Sequence, residues 1–282
     1  MILVADSGST KTTWAMVGSG NRFVSEGLNP HFTSDETFIK VCVSVRQHFL
    51  SNSLSSDSVT IYFYGAGCGN QTQQKRVLKL LAQCFDSINI HVETDMLGAC
   101  RAVSGHNASL VGILGTGSNA CYYDGERIKC QPTSTGYILG DKGSANHVGR
   151  ILLNDYLTHC MPAKERRLFH AAVGLSDAKL IDAVYHKPNA NRFLASLAPV
   201  AVQNKDNDYF GCVIWGALND WYLDPLLPLR QRSRYWEGTL NIVGGFAKAI
   251  EPTLRNYFDD DELNVGTVVA DPIDGLLAFH ST

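Results

Sequence analysis

One device appears twice in this chain, and it limits the folds open to it. Ile2 to Ala5 is a short apolar run, Asp6-Ser-Gly-Ser-Thr-Lys is a polar turn, and Thr12 to Val17 resumes β-rich composition. About 109 residues later Leu110 to Leu114, Gly115-Thr-Gly-Ser-Asn and Ala120 to Tyr123 follow the same course. Apolar runs on both sides of a short glycine-bearing turn predict a hairpin rather than a strand-to-helix crossover. Two such hairpins predict two sheets. The 282 residues are enough for about two domains at roughly 150 residues each, and the boundary is expected near residues 105–110.

Between and after the hairpins the pattern alternates. Arg22 to Glu26 suits a third strand. Phe38, Val41, Cys42, Val45 and Phe49 recur at helical spacing behind Ser34 and Asp35 as candidate caps. Val59 to Tyr64 and Ile88 to Val92 read as strands, Gln71 to Phe85 as a helix, and another helix starts near Asp95. The second half is mostly helical, over roughly 144–157, 164–172, 176–185, 190–203 and 207–224. Thr239 to Val243 is a late strand, Gly244-Gly245 a turn and Phe246 to Tyr257 a helix, with a last helix near Ile273 to His280.

Charge and cysteine usage exclude several classes. With 24 Lys+Arg against 27 Asp+Glu the formal charge is -3, which gives no electrostatic case for nucleic acid or an anionic membrane as partner. No apolar run approaches the roughly 20 residues that span a bilayer, and the N-terminal segment lacks the basic region of a signal peptide. Eight cysteines without a C-x-x-C pair, mostly in apolar surroundings, predict reduced thiols and a cytoplasmic location. The arginines at 230, 232 and 234, and Asp259-Asp260-Asp261-Glu262, read as solvated segments.

The two turns carry the candidate chemistry. The first fails as a P-loop, because Thr10 rather than glycine precedes Lys11 and a strand follows. A hairpin can still hold phosphate: Gly8 lets the backbone approach closely, Ser7, Ser9, Thr10 and Thr12 offer hydroxyls or amides, and Lys11 offers a charge. Asp6 suits magnesium, directly or through water. A capped hairpin with an Asx-turn accounts for the same residues, and an ordinary glycine hairpin for the second turn. A nucleotide gripped between two domains needs a phosphate loop from each, which favours the functional reading of the pair.

Asp6-x-Gly-x-Thr-x-Thr, Glu93-Thr-Asp95-Met-Leu-Gly-Ala, Gly115-Thr-Gly-Ser-Asn and Gly140-Asp-Lys-Gly-Ser, in this order, resemble N-acetylglucosamine kinases of the BadF/BadG/BcrA/BcrD-type ATPase family, within the actin, Hsp70 and sugar kinase superfamily. Gly244-Gly-Phe-Ala resembles that family's adenosine turn and Pro272-Ile-Asp-Gly-Leu-Leu its closing segment. The resemblance implies an α/β fold of two related ribonuclease H-like, actin-like ATPase domains with an interdomain cleft. They would span 1–106 and 107–272, the latter with helical insertions and with 273–282 packing back on the first. It implies phosphorylation of the 6-hydroxyl of N-acetylglucosamine from ATP, with Mg2+.

By the same resemblance Asp95 is the catalytic base, and a helix N-cap is its structural alternative. Asn29, Ser118, Asn119 and Asp141 face the sugar, with a turn before Pro30 the structural alternative for Asn29 and Asp141 a second candidate for ordering magnesium water. Thr116 and the Gly115 and Gly117 backbone sit by the phosphates, and Gly244, Gly245 and Ala247 by the adenosine. Lys142 replaces the family's usual glutamate. Ala66-Gly67-Cys68-Gly69 stands where a serine-bearing loop often meets the sugar, and Phe32 follows Asn29 where an aromatic often packs on the acetyl group. Glucosamine or another amino sugar is an alternative acceptor, and a second copy of the chain is a candidate partner. Two other readings are an activator ATPase of a 2-hydroxyacyl-CoA dehydratase, for which Cys121 and Cys130 are the nearest cluster ligands, and a sugar or nucleotide sensor without turnover.

Overall fold

A computed structural model describes all residues except 51–58, 86–88, 233–238, 260–262 and 282, and the side chain of Arg232. Most of the basic stretch and of the acidic run therefore lies outside the described residues. The chain divides into two compact units. Unit 1 comprises Met1–Asn107, Gly125–Arg127 and Asp271–Thr282; unit 2 comprises Ala108–Asp124 and Ile128–Ala270.

Unit 1 runs β1 (Ile2–Ser7), β2 (Lys11–Met16), β3 (Arg22–Glu26), α1 (Asp35–Phe49), β4 (Thr60–Gly65), α2 (Gln71–Phe85), β5 (Asn89–Thr94) and α3 (Asp95–Ser104). Its sheet has the order β3-β2-β1-β4-β5. The first three strands pair antiparallel, while β1, β4 and β5 are parallel. Alternation sorts the side chains of β1: Leu3 and Ala5 join the core under α1 and α2, and Val4 packs on the opposite face. Trp14 anchors the first core against Phe63 and Phe85, with ring centroids 5.8 and 6.4 Å away. Ser34 caps α1 by accepting the Thr37 amide.

Unit 2 runs β6 (Ser109–Leu114), β7 (Ser118–Tyr123), β8 (Ile128–Cys130), α4 (Gly136–Leu139), α5 (Ala145–Leu157), α6 (Ala163–Val173), α7 (Asp177–Tyr185), α8 (Ala190–Ala195), α9 (Ala198–Gln203), α10 (Asp208–Trp221), a π turn over Tyr222–Leu226, α11 (Leu227–Arg232), β9 (Thr239–Val243), α12 (Gly245–Ala249), α13 (Glu251–Phe258) and β10 (Asn264–Val269). Its sheet, β10-β9-β6-β7-β8, copies the order of the first, with an antiparallel trio and a parallel trio sharing β6. The last helix, α14 (Ile273–Phe279), belongs to unit 1, where Ile273 and Leu276 pack with Val4, Ala15 and Tyr64.

Two helices expected to be continuous are each split at a proline, and the helix expected over 207–224 stops as α at Trp221, before a π turn that contains Pro225. The expected 190–203 helix is two, and Pro199 lies in the first turn of α9; Pro252 likewise opens α13 and splits 246–257. Pro225 has no N–H for the α ladder, and the backbone widens there into the π turn. Among the described residues no helix is long and apolar enough to cross a membrane.

Candidate active site

In unit 1 the register aligns Ser7, Gly65 and Thr94 across β1, β4 and β5, so these strands end together. Ligands of open α/β sheets bind at such carboxyl edges. Asp6 and Asp95 stand on this edge with β4 between them, roughly 10 Å apart at two strand spacings. Burial, then the Asp271 and Asp95 carboxylates, push the Asp6 carboxyl up to about 8 against the pull of Lys11. Burial also raises Asp95, opposed by its hydrogen bonds to backbone amides, among them the Met96 N–H at 2.9 Å. Asp95 is the first residue of α3 rather than its cap. Thr94 caps the helix, its hydroxyl accepting the Leu97 amide at 3.1 Å, and Asp95 is spared that task. Cys68 lies close by, and burial followed by the Asp95 charge pushes its thiol up to about 12.

The first turn is braced from beneath. Gly8 N–H donates to the Lys11 carbonyl at 3.0 Å, and Gly27 N–H to the Thr10 carbonyl at 3.1 Å. A Cβ on Gly27 would lie 2.5 Å from the Gly8 oxygen and 2.7 Å from Ser9, so only glycine lets the turn rest there. Of the residues expected at the phosphates, Ser7 and Thr12 turn their side chains inward. Both are fully buried, 2.9 Å from each other, and both accept the Leu28 amide. Their hydroxyls tie the hairpin to the strand exit, which leaves Ser9, Thr10 and Lys11 toward solvent.

Lys11 is paired at 2.6 Å with Asp271, a residue that sequence reasoning missed. Thr13 donates to the same carboxylate at 3.2 Å, and Ile273 N–H to its other oxygen at 3.1 Å. Burial alone would raise Asp271; these donors outweigh it and hold the carboxyl below its ordinary value. Its signal was its position directly before the Pro272 segment. Asn29 is buried, and its Oδ1 accepts the His31 amide at 3.0 Å in an Asx-turn, so the local role of this residue is a turn. Phe32 is 68% exposed.

In unit 2 the second turn is held by backbone amides and side chains. Gly115 N–H donates to Gly117 at 2.9 Å, while the Ala145 and Asn146 amides at the start of α5 donate to the Gly115 and Thr116 carbonyls at 3.0 and 3.1 Å. Asp141 accepts the Ser118 amide at 3.2 Å and the Asn146 Nδ2 at 2.9 Å, and burial raises its carboxyl against these donors. Asp141 itself has a left-handed φ of 53°. The Ser118 hydroxyl donates to the Lys142 carbonyl at 2.6 Å, and Asn119 Oδ1 accepts the Ala120 amide at 2.9 Å. Asn146, fully buried and bonded to both the turn and Asp141, was not anticipated. Its only signal was its place in the first turn after Gly143-Ser144.

Gly244 supports the same turn from β9. At φ 141° its Cα faces the Leu114 carbonyl, which any Cβ would overlap. Gly245 is exposed, while Ala247, expected beside the adenosine, is fully buried in the unit 2 core. His147 holds the adjacent loop, its Nδ1 accepting the Gly143 amide at 3.0 Å with Nε2 3.6 Å from Asp220. Burial, then Arg150 and Lys142, lower it to about 4 despite Asp220, so it is neutral at pH 7. Cys121 is buried and Cys130 half-buried on strands β7 and β8.

Among the described residues no group of three His, Cys, Asp or Glu side chains is placed to cage a metal. The donor set suits a magnesium ion that keeps most of its waters, since Asp6 adds one half-buried carboxylate beside two others and a single Lys11 offsets them.

No protein-family model and no curated protein sequence matches the chain. Solved structures do. A Porphyromonas gingivalis protein, provisionally assigned as an N-acetylglucosamine kinase, is 32% identical over 99% of this chain and 98% of its own, with a TM-score of 0.89. A Chromobacterium violaceum protein with the same provisional assignment is 16% identical over 99% and 98%, TM-score 0.76. A ROK-family glucokinase from Streptomyces griseus, solved with glucose and AMPPNP, matches 99% of this chain and 98% of its own at 13% identity and a TM-score of 0.54. The last two establish a shared fold, a two-domain α/β architecture of the actin-like ATPase type.

Proposed function

Because the chain belongs to the N-acetylglucosamine kinase-like proteins of the BadF/BadG/BcrA/BcrD-type ATPase family, in the actin, Hsp70 and sugar kinase superfamily, we propose that it transfers the γ-phosphoryl group of ATP to the 6-hydroxyl of N-acetylglucosamine. The observation that carries this reading is Asp95: a half-buried carboxylate freed from capping, at the carboxyl edge of a parallel trio whose other end of interest is Asp6. Asp95 accepts the proton of the 6-hydroxyl as the sugar oxygen bonds to the γ-phosphorus and the bond to the β–γ bridging oxygen breaks, releasing ADP. Burial favours this role, because a carboxylate raised toward neutrality is a stronger base.

The phosphates are taken by the solvent-facing Ser9, Thr10 and Lys11 of the first turn and by the Gly115–Gly117 backbone and Thr116 of the second. Lys11 exchanges Asp271 for phosphate oxygen. Asp6 would hold a magnesium ion, directly or through water, and the ion would supply neutralisation of the triphosphate charge. Asn29, Ser118, Asn119 and Asp141 orient the sugar, the first through its amide nitrogen because its oxygen is committed to His31. Gly244 and Gly245 border the adenosine.

The test is ADP release measured across a sugar panel that includes N-acetylglucosamine, glucosamine, N-acetylmannosamine, glucose and 6-deoxy-N-acetylglucosamine, with the phosphorylated carbon of the product assigned by NMR. Release with N-acetylglucosamine and none with its 6-deoxy analogue is expected. Preference for glucosamine would move the acceptor to the free amine, and release independent of any sugar would contradict the kinase reading.

A further inference from the structure

The far end of α5 carries cationic chemistry that the proposed reaction does not use. The helix starts under the second turn and runs 13 residues to Leu157, about 20 Å at 1.5 Å per residue. There it borders an open pocket of about 680 Å³ lined by Tyr156, His159, Cys160, Arg166, Arg167 and His170 among others, with no carboxylate in its wall.

The cations are arranged rather than scattered. Arg166 lies 5.1 Å over the ring of Tyr156, which orients its guanidinium. Its Nε is buried without a hydrogen-bond partner among the described residues, and an unsatisfied buried donor is costly. Tyr156 Oη sits 2.8 Å from His170 Nδ1 with the rings stacked, so the Nε2 of His170 is the nitrogen left for a ligand. Nearby carboxylates are already engaged. Glu165 accepts Asn207 Nδ2 at 2.9 Å, and Asp177 interacts with the Tyr156 hydroxyl. Among the described residues neither Arg166 nor Arg167 lies within ion-pair distance of an acid. His159 holds a left-handed φ of 61° at the rim, next to the exposed thiol of Cys160, a backbone cost that concentrates at functional positions.

We propose that this pocket binds the dianion of a phosphomonoester, at a site separate from the nucleotide turns. Two planar guanidinium forks and two imidazoles offer more donors than a lone carboxylate accepts, and arginine pairs bidentately with phosphate. The volume leaves room for the sugar or nucleoside that carries the phosphate.

Cys160 reports on the site directly. Cys160 and Cys212 are the exposed thiols, so in a Cys212→Ser background the rate of iodoacetamide alkylation at Cys160 reads occupancy of the pocket. The full chain is held with excess AMPPNP to occupy the nucleotide turns, and inorganic phosphate, glucosamine 6-phosphate and AMP are titrated separately. Inorganic phosphate is expected to slow alkylation saturably; a tighter response to the sugar phosphate or to AMP names the source of the phosphate. Arg166→Ala/Arg167→Ala is expected to weaken that protection by about tenfold or more. The exposed-site variant Arg167→Ala, which leaves the Tyr156 contact intact, weakens it in the same direction, and its ATP turnover without added anion stays that of the parent. Equal slowing by sodium chloride at matched ionic strength, no slowing by phosphate, or full protection in Arg167→Ala and the double variant would each overturn the site.

Discussion

The two hairpin turns are built on the same strand pairing and supported in different ways. The turn over 8–11 rests on backbone and hydroxyls: Gly27 lies flat beneath it, and Ser7 and Thr12 are buried in each other and in Leu28. Its charged groups remain at the edge, as half-buried Asp6 and the Lys11–Asp271 pair. The turn over 115–117 rests on the backbone amides of Ala145 and Asn146 and adds a carboxylate and a side-chain amide, Asp141 and Asn146, with Gly244 pressing from the neighbouring strand. What it leaves outward is neutral. Equal strand topology thus yields one turn with charged groups at its edge and one without.

That division can be broken at chosen points. The largest effect is expected at Asp95: Asp95→Ala lowers kcat at least about 10²-fold while ATP affinity in equilibrium binding stays near that of the parent. Activity within a few-fold of the parent would remove Asp95 from the base position.

Next come the two glycines. Gly244→Ala forces a side chain into φ 141° and into the Leu114 carbonyl. A strain of about 1–3 kcal/mol, with overlap added, should lower the melting temperature and disturb Gly115. Gly27→Ala also meets backbone, of Gly8 and Ser9, but without a left-handed φ, so thermal melting should fall less while KM for ATP rises. Equal loss of stability in both would mean that the two supports are not different in kind.

A smaller change is expected from Asp141→Asn. One carboxylate oxygen becomes an amide NH2 facing either the Ser118 N–H or the Asn146 Nδ2, donor against donor, at a cost of about 1–3 kcal/mol for the donor left unpaired. Chemical denaturation checks this, and an unchanged midpoint would show that the second turn stands without Asp141.

The mildest test is pH. His280 in unit 1 is 2.8 Å from the Tyr64 hydroxyl and stacked on Tyr62 at 3.9 Å. Burial, then Arg101 and His91, lower it to about 4 from an ordinary 6.5. Between those values the unfolded chain binds a proton that the folded chain refuses, so stability is present above about 6.5 and is lost as pH falls toward 4. His147 in unit 2 follows the same sign. His280→Phe and His147→Gln should each flatten the acid limb of a melting-temperature profile, and a limb unchanged in both would assign the loss to other groups.

Much of the fold was legible because local rules and the global pattern agreed. The helix over Gln71–Phe85 and the capped helix after Ser34 sit where apolar spacing put them, and both hairpins formed around their turns. The strand β10 was not read. Gly266 and the register shift between Val265 and Val268 break the alternation that would have marked it, although its β-branched residues were in view. The breaks inside the expected 190–203 and 246–257 helices were written in Pro199 and Pro252, which periodicity overrode.

At the site, sequence reasoning found residues at turns and strand ends. It could not tell which face a hydroxyl takes: Ser7, Thr12 and Ala247 point inward because alternation along β1 and β2, and the packing of α12, turn them there. Asp271 and Asn146 act through partners 260 and 30 residues away, a separation that no local pattern records.

The central proposal is that Asp95 accepts the proton of a sugar hydroxyl in a phosphoryl transfer from ATP. Its most direct test is ADP release with and without N-acetylglucosamine, measured side by side in the wild-type chain and in Asp95→Asn. Sugar-stimulated release in the wild type that collapses in the variant, with ATP binding preserved, is the predicted result. Sugar-stimulated release that persists in Asp95→Asn, or ATP hydrolysis indifferent to sugar in both, would contradict it.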